Sequence, residues 1–253
     1  MDPKVTVIVP TWNRAAMIAI AIKSILSQTF SDFELLILDD ASTDNTHEVV
    51  LPFLTDKRVR FVSHPKNIGI TANRNYGISI ALGTYIAMLD SDDVWLDENK
   101  LERQIEILDS HPDIGIVGTY AKRLDEKGND IGDITTHAAD ASIRRSMMRR
   151  NQFIQSSVLI RKKAIDDAGR YDEGVPIWED YELWLRIGAL YQFRNIPEFL
   201  TGYRDHAGNI SKESEEKSIA AYQMIYKLHK KNYPMAWWML GKIIVKKVMM
   251  WWK

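Results

Sequence analysis

The chain has 253 residues, 45% of them hydrophobic and 26% charged, enough for one large α/β domain or two small ones. Its 33 Lys and Arg nearly balance 34 Asp and Glu, so there is no bulk attraction to nucleic acid, and no nucleic-acid partner is expected. With no cysteine, disulfides, thiolate catalysis and cysteine metal sites are excluded, and a reducing, cytoplasmic setting fits.

The N-terminus, "MDPKVTVIVPTWN", enters a strand almost at once and lacks the apolar segment of a signal peptide. No apolar run approaches the ~20 residues needed to span a bilayer. "VTVIV" (5–9) is wholly apolar and β-branched, as expected of a strand covered on both faces. Ile18, Ile22 and Ile25 then keep helical spacing. "FELLIL" (33–38) and "VRFVS" (59–63) predict further strands, with a Ser/Thr/Asp/Asn cluster between them suited to capping a helix. "TANRNYGISIAL" (71–82) predicts a helix ending at Gly83, and "YIAML" (85–89) a fourth strand. Leu101, Ile105 and Leu108 mark another helix that stops near "SHPD" (110–113).

Such alternation predicts a mostly parallel central sheet with helices on both faces. Beyond residue 113 the order loosens. "IGIVGTYAKRL" (114–124) predicts a strand turning at "DEKGND", "FIQSSVLI" (153–160) another strand, and "EDYELWLRIGAL" (179–190) a helix. The expected organisation is one domain over 1–212, its halves meeting near residue 113, followed by a helical tail over 213–253.

Ligands of open parallel sheets bind beyond the carboxyl ends of the strands. Here strand one ends in Pro10, Thr11, Trp12 and Asn13, strand two in Asp39 and Asp40, and strand four in Asp90, Ser91, Asp92 and Asp93. Crowded carboxylates repel one another unless a cation offsets them, and hard oxygen ligands without His or Cys close by in the sequence suit Mg²⁺ or Mn²⁺ shared with a phosphorylated ligand. The alternative is that Asp92 and Asp93 cap the next helix. Neither G-x-x-x-x-G-K-[ST] nor a G-x-G-x-x-G after the first strand is present, so P-loop and dinucleotide-binding readings fail.

"VTVIVPTWNR", "LDDASTDNT", "NIGITANRNYGI", "LDSDD" and "WEDYELWLR" occur in the order seen in family 2 glycosyltransferases of the GT-A fold, and the resemblance covers about residues 4–211. It implies an inverting transfer of sugar from a nucleotide sugar, a UDP-sugar above all, to a hydroxyl on a glycan or lipid-linked acceptor, with a nucleotide-binding half over about 1–113 and an acceptor half over about 114–212. It implies that Pro10, Thr11, Asn13 and Asp40 hold the nucleoside, with Asp39 and Ser91 nearby and Trp12 either stacking or packing. Arg74 matches a basic position near the nucleotide. Asp90 and Asp92 match a D-x-D motif, Asp92 as metal ligand and Asp90 on ribose or a metal-bound water; Asp93 is left as helix cap. Asp180 aligns with the family's general base, with Glu179 as the fallback. In "YRDHAGNIS" (203–211), Arg204 is expected to neutralise phosphate and His206 to be a third metal ligand. A nucleotidyltransferase is the rival enzyme, but "PTWNRAAM" lacks its Gly-rich basic signature. A non-catalytic nucleotide- or glycan-binding module is the second rival.

The tail "YPMAWWMLGKIIVKKVMMWWK" (233–253) carries four Trp, four Met and four Lys. Lys242, Lys246 and Lys253 fall close together on a helical wheel and most of the remaining circumference is apolar. Either the helix lies on the inner membrane surface or it packs on the domain; the tandem terminal Trp favours the membrane.

Overall fold

The computed structural model describes residues 2–206, 208, 209 and 215–251. The first half follows the expected alternation: β1 (Val5–Thr11), α1 (Ile18–Leu26), β2 (Phe33–Asp39), α2 (Thr46–Val50), β3 (Val59–Ser63), α3 (Ile70–Ile80) and β4 (Tyr85–Met88). A two-residue strand β5 (Val94–Trp95) and α4 (Lys100–Ser110) come next. The second half holds β6 (Ile114–Leu124), β7 (Asp130–Ile134), α5 (Asp140–Met147), β8 (Leu159–Arg161), α6 (Lys162–Ala168), α7 (Glu179–Leu190) and β9 (Gln192–Arg204). Two helices close the chain, α8 (Glu215–His229) and α9 (Trp237–Trp251).

A single sheet runs through both halves in the order β3, β2, β1, β4, β8, β6, β9, β5, with β7 added to β6. β3, β2, β1 and β4 are mutually parallel. β8 joins β4 to β6 antiparallel to both, and β6 and β9 are parallel again. The expected strand over 153–160 is a correction: Gln155–Ser157 form a 3-10 turn and only Leu159–Arg161 pair. That turn is held by Ser157 Oγ donating to the Ile154 carbonyl at 2.8 Å.

Successive strand residues point to opposite faces, and each face buries its own core. Val5, Val7, Val9, Leu35, Ile37 and Ala87 pack against α1 and α4 through Ile22, Ile25, Leu101 and Ile105. Ile8, Leu36, Leu38, Ile86 and Met88 join Ile78, Leu183, Trp184 and Ile187 on the other face. Wholly buried strands read as continuous apolar runs because both faces are covered.

The tail is not a free helix. His229 Nε2 meets Glu182 Oε1 at 2.9 Å, and Tyr233 Oη donates to the Leu185 carbonyl at 2.8 Å. Ile225, Met239 and Ile243 join the core over α7. Gly188 permits this approach, since a Cβ there would collide with Phe193 and the Tyr233 hydroxyl. Of the two arrangements open to the tail, one face of α9 takes the packed one. Lys253 lies outside the described residues. None of the described helices is long and apolar enough to cross a membrane.

Candidate active site

Because β1, β2 and β4 are parallel and in register, their carboxyl ends open on one edge of the sheet, where a cavity of about 640 Å³ lies. Pro10 and Thr11 end β1 in its wall and Trp12 follows them, Asp40 continues β2, and Asp90–Asp93 follow β4. The start of α7 brings Trp178, Glu179 and Asp180 to the same cavity. Asp40, Asp92 and Asp180 therefore line a common cleft. Trp12 presents an exposed ring to it, and Thr11 Oγ1, Gln155 Oε1 and Arg74 Nε are buried in its walls without a hydrogen-bond partner. Buried polar atoms in this state mark places where a ligand's polar groups are expected.

The crowded acids each have a different partner. Arg74, buried on α3, donates Nη2 to Asp90 Oδ1 at 2.6 Å and Nη1 to Glu179 Oε1. Burial works against its charge, and the two acids outweigh it. Asp92 Oδ2 receives Arg14 Nε at 3.2 Å and lies 3.0 Å from His206 Nε2. Asp93 accepts the Arg204 backbone N–H at 2.8 Å and the Ser156 hydroxyl. Burial, with Asp92 and Asp90 beside it, pushes the Asp93 carboxyl well above the ordinary range.

Asp180 opens the first turn of α7, one residue after Glu179. Its carboxylate accepts the Tyr181 N–H at 2.7 Å and Asn151 Nδ2 at 3.3 Å. Burial, then the Glu179 charge, push its carboxyl up to about 7, against the pull of Arg74. Trp178, the residue before the helix, holds left-handed backbone angles (φ 63°). A bulky side chain rarely adopts such angles, and such strain collects at functional sites.

Several expectations are corrected. Asn13 does not face the cleft: at φ 52° it turns its Oδ1 onto the Thr43 N–H at 2.8 Å and so braces the loop after β2. Asp39 is also structural, accepting Ser42 N–H and, at 3.0 Å, the Ser63 hydroxyl. Arg204 points away from the cleft, its guanidinium on the carbonyls of Asp92 (2.9 Å), Asp125 (3.2 Å) and Glu126 (3.0 Å). Asp93 caps no helix, since α4 begins only at Lys100 with Asn99 before it. Glu179, the fallback base, is paired with Arg74. Asp40 and Ser91 do line the cleft; both Asp40 oxygens hold backbone, Ile68 N–H at 2.7 Å and Gly69 N–H at 2.9 Å.

Among the described residues no three His, Asp or Glu side chains stand close enough to enclose a cation, so Asp90, Asp92 and His206 do not form a three-ligand set. Asp92 Oδ2 and His206 Nε2 are in hydrogen-bond contact at 3.0 Å, and a carboxylate oxygen beside an imidazole nitrogen is a donor pair that a divalent ion accepts. Mg²⁺ commonly keeps few protein ligands and takes the rest from water and phosphate.

The sequence model of the glycosyl transferase family 2 matches residues 6–167. The chain belongs to this family. A glycosyltransferase of Methanocaldococcus jannaschii, otherwise uncharacterized, is 30% identical over 91% of this chain and 80% of its own length, which carries the likeness past Asp180. Over 42% of each chain, similarity rises to 41% identity with an Escherichia coli protein named UDP-Glc:alpha-D-GlcNAc-diphosphoundecaprenol beta-1,3-glucosyltransferase WfgD. The fold is that of GT-A glycosyltransferases. Staphylococcus aureus TarS in complex with UDP-GlcNAc superposes over 96% of this chain and 72% of its own, with a TM-score of 0.76 at 19% identity. The mannosyltransferase PcManGT of Pyrobaculum calidifontis, in complex with GDP-Man and Mn²⁺, covers 97% and 74%, with a TM-score of 0.70 at 18% identity.

Within this family member, sequence reasoning missed Arg14, Gln155 and Trp178 as cleft residues. Arg14 sits three positions beyond the end of β1 in a polar turn, and its pairing with Asp92 spans 78 positions. Trp178 begins the "WED" stretch, and only its backbone angles set it apart.

Proposed function

We propose that the protein is an inverting, metal-dependent glycosyltransferase that moves a sugar from a UDP-sugar to a hydroxyl of a glycan or lipid-linked acceptor. The observation that carries this reading is Asp180: a carboxyl at the cleft wall, raised to about 7, in the same cavity as Asp40 and Asp92. A base of that strength is half ionised near neutral pH, where general-base help is most effective.

The nucleoside lies at the ends of β1 and β2, with Trp12 against the base, and Thr11 Oγ1 and the Asp40 carboxylate as polar contacts. Arg14, already on Asp92, reaches the diphosphate and neutralises part of its charge. Asp92 and His206 would hold Mg²⁺ or Mn²⁺, which when bound stabilises the negative charge of the departing nucleoside diphosphate. Arg74 ties Asp90 to Glu179 and so fixes the start of α7 against the end of β4. Asp180 then takes the proton of the acceptor hydroxyl as its oxygen attacks the anomeric carbon from the side opposite the leaving phosphate. That single displacement inverts the carbon. The names of the E. coli relative and of the TarS complex support a UDP-sugar, the former also supports a lipid-linked acceptor, and the PcManGT complex supports Mn²⁺.

The test is release of nucleoside diphosphate from a panel of UDP-sugars with Mn²⁺, with and without candidate acceptors. Asp180→Asn should lower turnover by ~10²–10⁴-fold while nucleotide binding, read by calorimetry, survives. Equal turnover by both proteins would remove Asp180 from the chemistry.

A further inference from the structure

Helix α9 has two apolar faces, and the domain uses one. Met239 and Ile243 are buried in the core. On the opposite side Trp237 (59% exposed), Leu240 (40%), Ile244 (55%), Val245 (58%) and Val248 (51%) form one stripe at helical spacing. Single exposed aliphatics are ordinary on a protein surface, whereas a contiguous apolar stripe marks an interaction site.

Cations border it. Lys242 and Lys246, one turn apart, occupy one shoulder of the stripe, and exposed Lys247 the other. Arg149, at the end of α5, sets its guanidinium 5.1 Å over the Trp238 ring, and Lys242 Nζ lies 5.2 Å over Tyr222. Among the described residues, no acid pairs with Arg149, Arg150, Lys242, Lys246 or Lys247. Burial and the charges of Arg149, Lys246 and Arg150 all push the Lys242 ammonium downward, so an external anion would relieve this group.

We propose that this face docks on an anionic phospholipid bilayer, its apolar stripe at the headgroup–acyl boundary and Arg149, Arg150, Lys242, Lys246 and Lys247 on lipid phosphates. Three observations select this occupant. None of the described helices is long and apolar enough to cross a bilayer; lying in the interface suits an apolar stripe flanked by Lys and carrying Trp. A second copy is the wrong partner, because a two-fold interface sets each patch against itself and would oppose cation to cation. Lys beside an acidic headgroup gains attraction at each contact.

The docked face also borders the cleft. Asn151 and Phe153, on the cleft wall, follow directly after Arg149 and Arg150. Trp178, on the same wall, packs 4.6 Å from the Tyr222 ring that underlies Lys242. Docking thus turns the Asp180 end of the cleft toward the lipid, which suits a lipid-linked acceptor; this consequence alone rests on the function proposed above.

The test uses the full chain, with flotation on vesicles of phosphatidylcholine alone or mixed equally with phosphatidylglycerol. The protein should float with the anionic vesicles, be released by salt, and bind pure phosphatidylcholine far less. Ile244→Ser with Val245→Ser, both at exposed positions and checked for an unchanged melting temperature, should weaken binding at least about tenfold. Lys242→Glu with Lys246→Glu should abolish the preference for anionic lipid. Failure to float, equal binding to both vesicles, or undiminished binding by the serine variant would each overturn the proposal. So would a dimer in light scattering that the serine variant returns to monomer. UDP-sugar binding measured on the same variants keeps this outcome separate from the glycosyl-transfer reading.

Discussion

Replacing Asp180 with asparagine should stabilise the protein as it stops the chemistry. In the folded chain the carboxyl is raised from 3.8 to about 7. Between those values the native state keeps a proton that the unfolded chain has already released. Native stability therefore falls as pH rises through the window, by about 1.4 kcal/mol per pH unit. By about pH 8 the loss reaches about 4 kcal/mol, of which some belongs to repulsion by Glu179, so about 2–4 kcal/mol is recovered when the ionisable group is removed. In a chain of this size that corresponds to a melting temperature higher by about 5–10 °C. Asparagine keeps the shape and, through its Oδ1, the contact to the Tyr181 N–H; its amide nitrogen cannot accept from Asn151 Nδ2, so that bond, long at 3.3 Å, is lost at a pH-independent cost of about 0.5–1 kcal/mol. The assay is thermal melting of both proteins from about pH 4 to about pH 8. The variant should start no higher than the wild type at the acid end, and the difference should shift steadily in its favour as pH rises. A gap that is absent at pH 8 would refute the reasoning, and so would one that does not change with pH. Turnover should follow the same ionisation, falling about tenfold for each pH unit below 7 in the wild-type protein.

Arg74→Met should leave Asp90 and Glu179 without their shared cation and cost about 3–5 kcal/mol in urea unfolding; adding Glu179→Gln should restore part of it. Asp92→Asn should remove the extra thermal stabilisation that Mn²⁺ gives to the nucleotide-sugar complex while leaving the metal-free protein at least as stable. A panel of nucleotide sugars melted with and without Mn²⁺ should show one donor class stabilising only when metal is present. Gly188→Ala, on the α7 face that meets Phe193 and Tyr233, should lose about 1–3 kcal/mol through overpacking, read as a lower urea midpoint with unchanged slope.

Part of this architecture was legible in the chain because burial leaves a plain pattern. β1, β2 and β4 are covered on both faces, so they stand out as apolar runs closed by polar residues, whereas edge strand β3 is only partly covered. α7 is announced by acids at its start and an apolar body. β9 was not foreseen: "QFRNIPEFLTGYR" mixes exposed and buried positions and contains Pro197, and its pairing with β6 shifts register three times. The stretch at 153–160 misled for the opposite reason, since buried Gln155, Ser156 and Ser157 look like strand residues but serve a turn. Asn13 and Arg204 fell on resemblance-derived sites, yet local backbone needs claimed both side chains.

What the amino-acid order determined by itself is where acids fall along the chain: each apolar run ends where burial ends, and in parallel strands those ends share an edge. Which acid does what was decided only by the folded molecule. Asp90 meets Arg74, Asp92 meets Arg14 and His206, and Asp93 meets a backbone N–H 111 positions away. Asp180 is raised by burial and by Glu179. Desolvation and Coulomb forces depend on distance and exposure in space, and neighbouring positions in sequence do not encode them.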